Sequence, residues 1–138
     1  MRSLTLLLTC LAAPALAADT DIIAQPMPAL DWATTPEGVA FAPLQGDRLT
    51  EDYMAMVRLP AGLVSPPHVK SANMFGVVIE GVMTHTPHGA TTQATPLPTG
   101  AFYKIPKDLP HVSSCISDTP CVTFLYQDGK FDFLPVTQ

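Results

Sequence analysis

The apolar and polar positions fall into short runs of about five residues, each stopped by glycine, proline or a polar pair. From Gly38 the first run carries Val39, Phe41 and Leu44 and stops at Gln45-Gly46-Asp47. Tyr53 to Leu59 is the next, turned by Pro60-Ala61-Gly62. Ser65 to Val69 is brief, and Pro66-Pro67 puts it on an edge or a bend, because proline cannot donate to a ladder. Met74 to Ile79 is apolar throughout, which predicts a central strand buried on both faces. Glu80-Gly81 turns it into Val82 to Thr86, Pro87 to Ala90 makes a loop, and Thr91 to Leu97 is predicted to return. After Pro98-Thr99-Gly100 come Ala101 to Ile105, a loop over Pro106 to Pro110, and then His111 to Cys115. Cys121 to Gln127 follows, and Asp128-Gly129 is a two-residue hairpin signal into Lys130 to Leu134. No stretch sustains a period of 3.6. Nine or ten short strands in a single domain predict an all-β sandwich or small barrel over residues 38–138.

The start of the chain reads differently. Met1-Arg2 is positive, Leu4 to Ala13 is apolar, and Ala15-Leu16-Ala17 is a small-x-small cleavage site. That is the pattern of a secretory signal peptide over residues 1–17, too short and wrongly flanked for a permanent anchor. Cys10 invites a lipid-anchored reading, but Thr9 precedes it where bacterial lipoprotein signals carry Gly, Ala or Ser. The expectation is an exported protein, periplasmic or secreted, cut near Ala17. Residues 18–37 are mixed and interrupted by proline, and read as an arm whose Trp32 packs onto the body.

Composition narrows the partners. The chain has 138 residues, and its fifteen prolines and eight glycines are dispersed as punctuation for many short segments. Its net charge of −5 becomes −6 once Arg2 is lost with the leader. Such a domain has no electrostatic reason to bind nucleic acid or an anionic membrane surface. With Cys10 removed, only Cys115 and Cys121 remain, in an oxidising compartment. If Cys121 opens a returning strand, the two face each other across a hairpin within disulfide reach. Closing so short a loop stabilises by roughly 2 kcal/mol in the chain-entropy model. The alternative is a pair of free thiols at a redox or metal site, although the spacing is not that of a C-x-x-C motif.

Two histidines carry the candidate chemistry. Gly62, His68, Lys70, Met74 and Gly81 form one spaced set, and Gly100, Pro106, Asp108, His111 and Cys115 another, with residues 82–99 between them. In spacing these two sets resemble the paired motifs of the cupin superfamily, over about residues 38–135. The resemblance implies a jelly-roll barrel (a double-stranded β-helix) and pairing of two copies through sheet edges. It also implies a metal held by two histidines and a glutamate of the first motif and a histidine of the second. Only His68 and His111 match those positions. Lys70 stands where the second histidine belongs and Met74 where the glutamate belongs, while Asp108 and Cys115 replace a glycine and an asparagine.

Those departures change the chemistry. Residues 68 and 70 share a strand face and point into the lumen. Two imidazoles without a carboxylate hold a divalent ion weakly. A lysine ammonium beside it costs about 4 kcal/mol at about 4 Å and an effective dielectric near 20. The usual iron, manganese or zinc centre is therefore expected to be lost or weakened, leaving either no cofactor or a single metal ion. Cu(I) on His68, Met74 and His111 is the best fit, with Lys70 swung outward along its stem. The leading reading is binding, or slow transformation, of a small anionic or carbonyl-bearing molecule by His68, Lys70 and His111. Against it stand a metal-dependent enzyme of oxygenase or isomerase type, as the resemblance implies, and a structural protein whose lumen is filled by side chains. His85 and His88, around Pro87, read as a strand end and loop whose surface metal site lacks a third ligand. Tyr53, Tyr103 and Phe102 read as barrel lining or packing.

Overall fold

The computed structural model describes residues 21–136, so the signal-peptide reading of residues 1–17 lies outside the described residues. Within them are a 3-10 turn at Met27–Ala29 and ten strands. These are β1 (Ala33–Thr34), β2 (Ala40–Gln45), β3 (Tyr53–Leu59), β4 (His68–Val69) and β5 (Met74–Glu80). Then come β6 (Met83–Pro87), β7 (Phe102–Ile105), β8 (His111–Cys115), β9 (Cys121–Gln127) and β10 (Leu134–Pro135). They build a six-stranded sheet in the order β1-β2-β3-β9-β5-β7 and a four-stranded sheet in the order β10-β4-β8-β6. Every pairing is antiparallel. Two such sheets face to face make the expected all-β jelly-roll barrel in one domain.

Alternation decides what faces inward. Along β3, Tyr53, Ala55, Val57 and Leu59 are buried against the second sheet, and Arg58 points away. Met83, Cys115 and Cys121 join them in one apolar cluster between the sheets. On the outer face of the first sheet the arm covers Ala42, Met56 and Val122 with Leu30, Trp32 and Met27. Arg58 lies 3.9 Å above the Trp32 ring, a cation–π contact that fastens the arm, as the Trp32 expectation requires. Gly76 is fixed by its neighbour, because a Cβ there would collide with the Tyr103 ring.

Several expectations change. β5 is not buried on both faces: Met74, Gly76 and Val78 are, while Phe75, Val77 and Ile79 are half-buried, since no second layer covers that side beyond the arm. Thr91 to Leu97 does not return as a strand, and only Leu97 bridges, to Met83. Asp128-Gly129 makes no hairpin. Neither residue has the positive φ that a tight two-residue turn needs, and the chain crosses instead to the other sheet, where Leu134 pairs with Val69. Cys115 and Cys121 do form a disulfide, with S–S 2.07 Å, but not across a hairpin. β8 lies in one sheet and β9 in the other, so the bond stitches the two layers together.

Candidate functional site

Between the sheets lies a cavity of about 620 Å³. The lumen is therefore not filled by side chains, and the purely structural reading loses its premise. Its walls are mainly apolar, among them Phe41, Val57, Leu63 and Leu125, while His68, Lys70 and His85 contribute the basic groups. That is the size and character of a site for a small organic molecule.

His68 and His111 are brought together as a directly opposed pair on β4 and β8, with ring centroids 4.2 Å apart. The local sequence explains their poise. Each follows a proline (Pro67, Pro110), and each places Nδ1 2.9 Å from the carbonyl oxygen of the residue two before it, Pro66 or Leu109. A carbonyl only accepts, so each Nδ1 carries the proton and each Nε2 presents a lone pair. Phe133 stacks on the His68 ring at 4.0 Å and lines the cavity beside it. His68 lies on the cavity wall, His111 stands behind it, and the Nε2 of His111 is buried without a partner. Burial pushes the His68 pKa down to about 4 against the pull of Pro66, and His111 and Lys70 push it further. Burial likewise lowers His111, with Lys70 adding to it. Both rings are neutral at ordinary pH.

Lys70 does not swing outward. It is 4% exposed, and its ammonium donates to the backbone carbonyl of Asp132. It lies 4.0 Å from the Phe131 ring centroid and 5.4 Å from that of Phe133. Burial lowers its pKa to about 8, with Asp132 pulling upward and Arg48 downward. The Asp132 carboxylate is turned away, accepting the Ser71 N–H at 3.2 Å. Asp108, in the motif's glycine slot, keeps the glycine-like backbone at φ 60° and donates its N–H to the Lys70 carbonyl at 2.8 Å. Asp tolerates that left-handed conformation better than most side chains, which is why the substitution leaves the loop in place.

Met74 reaches the cavity from β5, in the sheet opposite the histidines, and is packed in the apolar cluster. His85 faces inward, not to a surface loop. It belongs to β6, opposite Ser113, and points inward with Met83 two residues before it. Its Nδ1 lies 2.8 Å from the Ser113 hydroxyl and its ring 4.2 Å from Tyr103, while its Nε2 is buried without a partner. Burial, then His111 and His68, push its pKa down to about 4. Alternation from Met83 signals this orientation, although Pro87 and His88 suggest a surface loop. His88 is exposed while His85 lines the cavity, so the two do not face a common site. Tyr53 and Tyr103 line the cavity as expected, but Phe102 is 63% exposed and points outward. Phe131, Asp132 and Phe133, outside both motifs, were not anticipated. They follow from the chain crossing between sheets.

The usual divalent centre does not fit these residues. Among the described residues no three or more His, Cys, Asp or Glu side chains are grouped to hold a metal ion. The cation at position 70 stays in the same cavity.

A family model of the ChrR cupin-like domain matches residues 20–130. No curated protein matches the chain. Among solved structures, the polyketide cyclase RemF from Streptomyces resistomycificus superposes with a TM-score of 0.66 at 14% identity, covering 86% of this chain and 87% of that one. KdgF from Halomonas sp. gives 0.57 at 18%, covering 71% and 86%. An oxalate oxidase gives 0.62 at 19%, covering 87% of this chain but 66% of its own. Identities this low carry the fold and not the activity.

Proposed function

Because the chain belongs to the ChrR cupin-like domain family, we propose that it is an exported protein whose barrel binds, or slowly transforms, a small and largely apolar molecule bearing a polar group. The observation that carries this is the 620 Å³ cavity with His68, Lys70 and His85 on a mainly apolar wall. A buried His85 Nε2 without a partner is an unmet hydrogen-bonding group, and a ligand hydroxyl, which both donates and accepts, meets it in either tautomer. The Lys70 ammonium complements an anionic or carbonyl oxygen on the same ligand. Export draws on the leader pattern of residues 1–17.

The rival is a Cu(I) site on His68, Met74 and His111, which the unpartnered Nε2 of His111 favours. The test uses the anionic fluorophore anilinonaphthalene sulfonate with folded protein. One probe should bind per chain, and Val57→Phe, which fills the cavity, should abolish it. Unchanged binding by that variant would remove the barrel as the site.

A further inference from the structure

We propose that Lys70 is a nucleophile that forms an imine with the carbonyl group of a small aldehyde or ketone held in the barrel, a step that rests on the reading of the barrel as a binding site. Three features of its setting single it out. Lys104, Lys107 and Lys130 are exposed, whereas Lys70 is enclosed and lies on the cavity wall. It is held by a single backbone carbonyl, that of Asp132, and by the faces of Phe131 and Phe133, which orient the nitrogen without the carboxylate that would lock it as an ammonium. The nearest acid, Asp132, spends its oxygens on the Ser71 N–H.

The chemistry closes without an oxidant or reductant. The Nζ lone pair attacks the carbonyl carbon, the C=O π pair moves to oxygen, and a proton passes from nitrogen to that oxygen. The carbinolamine hydroxyl then takes up the proton that the Lys70 ammonium released on becoming the free amine, leaves as water, and a protonated C=N bond to Nζ remains. His68 stacks on the same Phe133 ring as Lys70 and offers an unprotonated Nε2 to carry the proton. The product iminium keeps one N–H, and with it the bond to the Asp132 carbonyl, so the backbone acceptor serves both states. The apolar wall excludes the water that would reverse the step.

The experiment treats the full exported chain at pH 7.5 with benzaldehyde and sodium cyanoborohydride, which reduces an imine to a stable amine, and maps adducts by peptide mass spectrometry. Displacement of anilinonaphthalene sulfonate by benzaldehyde is followed in parallel. The expected result is modification of Lys70 at least about tenfold faster than of Lys104, Lys107 or Lys130, lost in Lys70→Arg and retained in Lys104→Arg. Labelling of Lys70 no faster than the exposed lysines, with benzaldehyde still displacing the fluorophore, overturns the nucleophile and leaves the binding site standing. Failure of both fluorophore binding and selective labelling overturns the site and the nucleophile together.

Discussion

His68 and His111 meet ring to ring across the β4–β8 pair at 4.2 Å, each with Nδ1 tied to a carbonyl two residues back in its own chain. Burial holds the pKa of both rings below the usual imidazole value. This makes the pair a proton-linked element of stability. The unfolded chain binds a proton at His68 below the ordinary value of 6.5, the folded protein only below about 4. Between those values the unfolded state holds more protons, so stability is fully present above pH 6.5 and falls as the pH drops towards 4. His85 acts in the same sense. The loss is on the order of 3 kcal/mol from His68, and less from the half-buried His85. Urea midpoints measured from pH 7.5 to 4.5 should fall accordingly, and the slope should shrink in His68→Gln. A flat profile would contradict the neutral pair.

Lys70 gives a second linkage. Its folded pKa of about 8 lies below the ordinary 10.5, so the unfolded chain holds the extra proton between the two. Its penalty is therefore complete below pH 8 and disappears as the pH rises through 10.5. Lys70→Met keeps the apolar stem against Phe131 and Phe133, and should raise stability at pH 7 by up to about 3 kcal/mol. Denaturation at pH 7 and at pH 10 checks this, the gain being smaller at the higher pH.

The metal ligands can be rebuilt. Lys70→His with Met74→Glu restores both motif residues that the chain lacks. Calorimetry should show about one Zn(II) or Mn(II) per chain in the double variant and under about a tenth in the parent. No binding by the variant would mean that the two motifs are registered wrongly. Cu(I) titration of the parent and of Met74→Leu tests the soft-ligand rival, which requires one equivalent in the first and a large loss in the second.

Much of the fold is legible in the chain. Tyr53–Leu59, His111–Cys115 and Cys121–Gln127 are strands to the residue, because alternation and the flanking turns agree. What escapes is information carried between sheets. Cys115 and Cys121 read as a local hairpin because their separation is short, yet a short link also suits a corner where the chain changes layer. Asp128-Gly129 reads as a tight turn from its residue types, but a crossing chain needs no positive φ there. In the site, His68 and His111 are legible from their spacing. His85 falls in the predicted strand Val82 to Thr86, but pairing it with His88 across Pro87 hides the alternation from Met83 that turns it into the cavity.

The Cys115–Cys121 bond gives a further prediction. Joining the two layers next to β8, it should contribute about 2 kcal/mol, so Cys115→Ser with Cys121→Ser should lower Tm by several degrees. Because His111 and the wall residue Ser113 ride on β8, fluorophore affinity should fall along with it. Thermal denaturation and titration of the same sample decide the point. An unchanged Tm would mean that the layers are held without the bond.

Phe131, Asp132 and Phe133 belong to neither motif and fall beyond the span matched by the family model, which stops at residue 130. They lie in the stretch where the chain passes from one layer to the other, anchored by Phe131 N–H on the Arg48 carbonyl and by Leu134 opposite Val69. Strand pairing fixes its far end, and its middle is held by side-chain contacts to Arg48, Lys70, Ser71 and His68. Three consecutive residues outside both motifs thus touch Lys70 and His68 at once, so the character of the cavity wall depends on a stretch that neither motif covers.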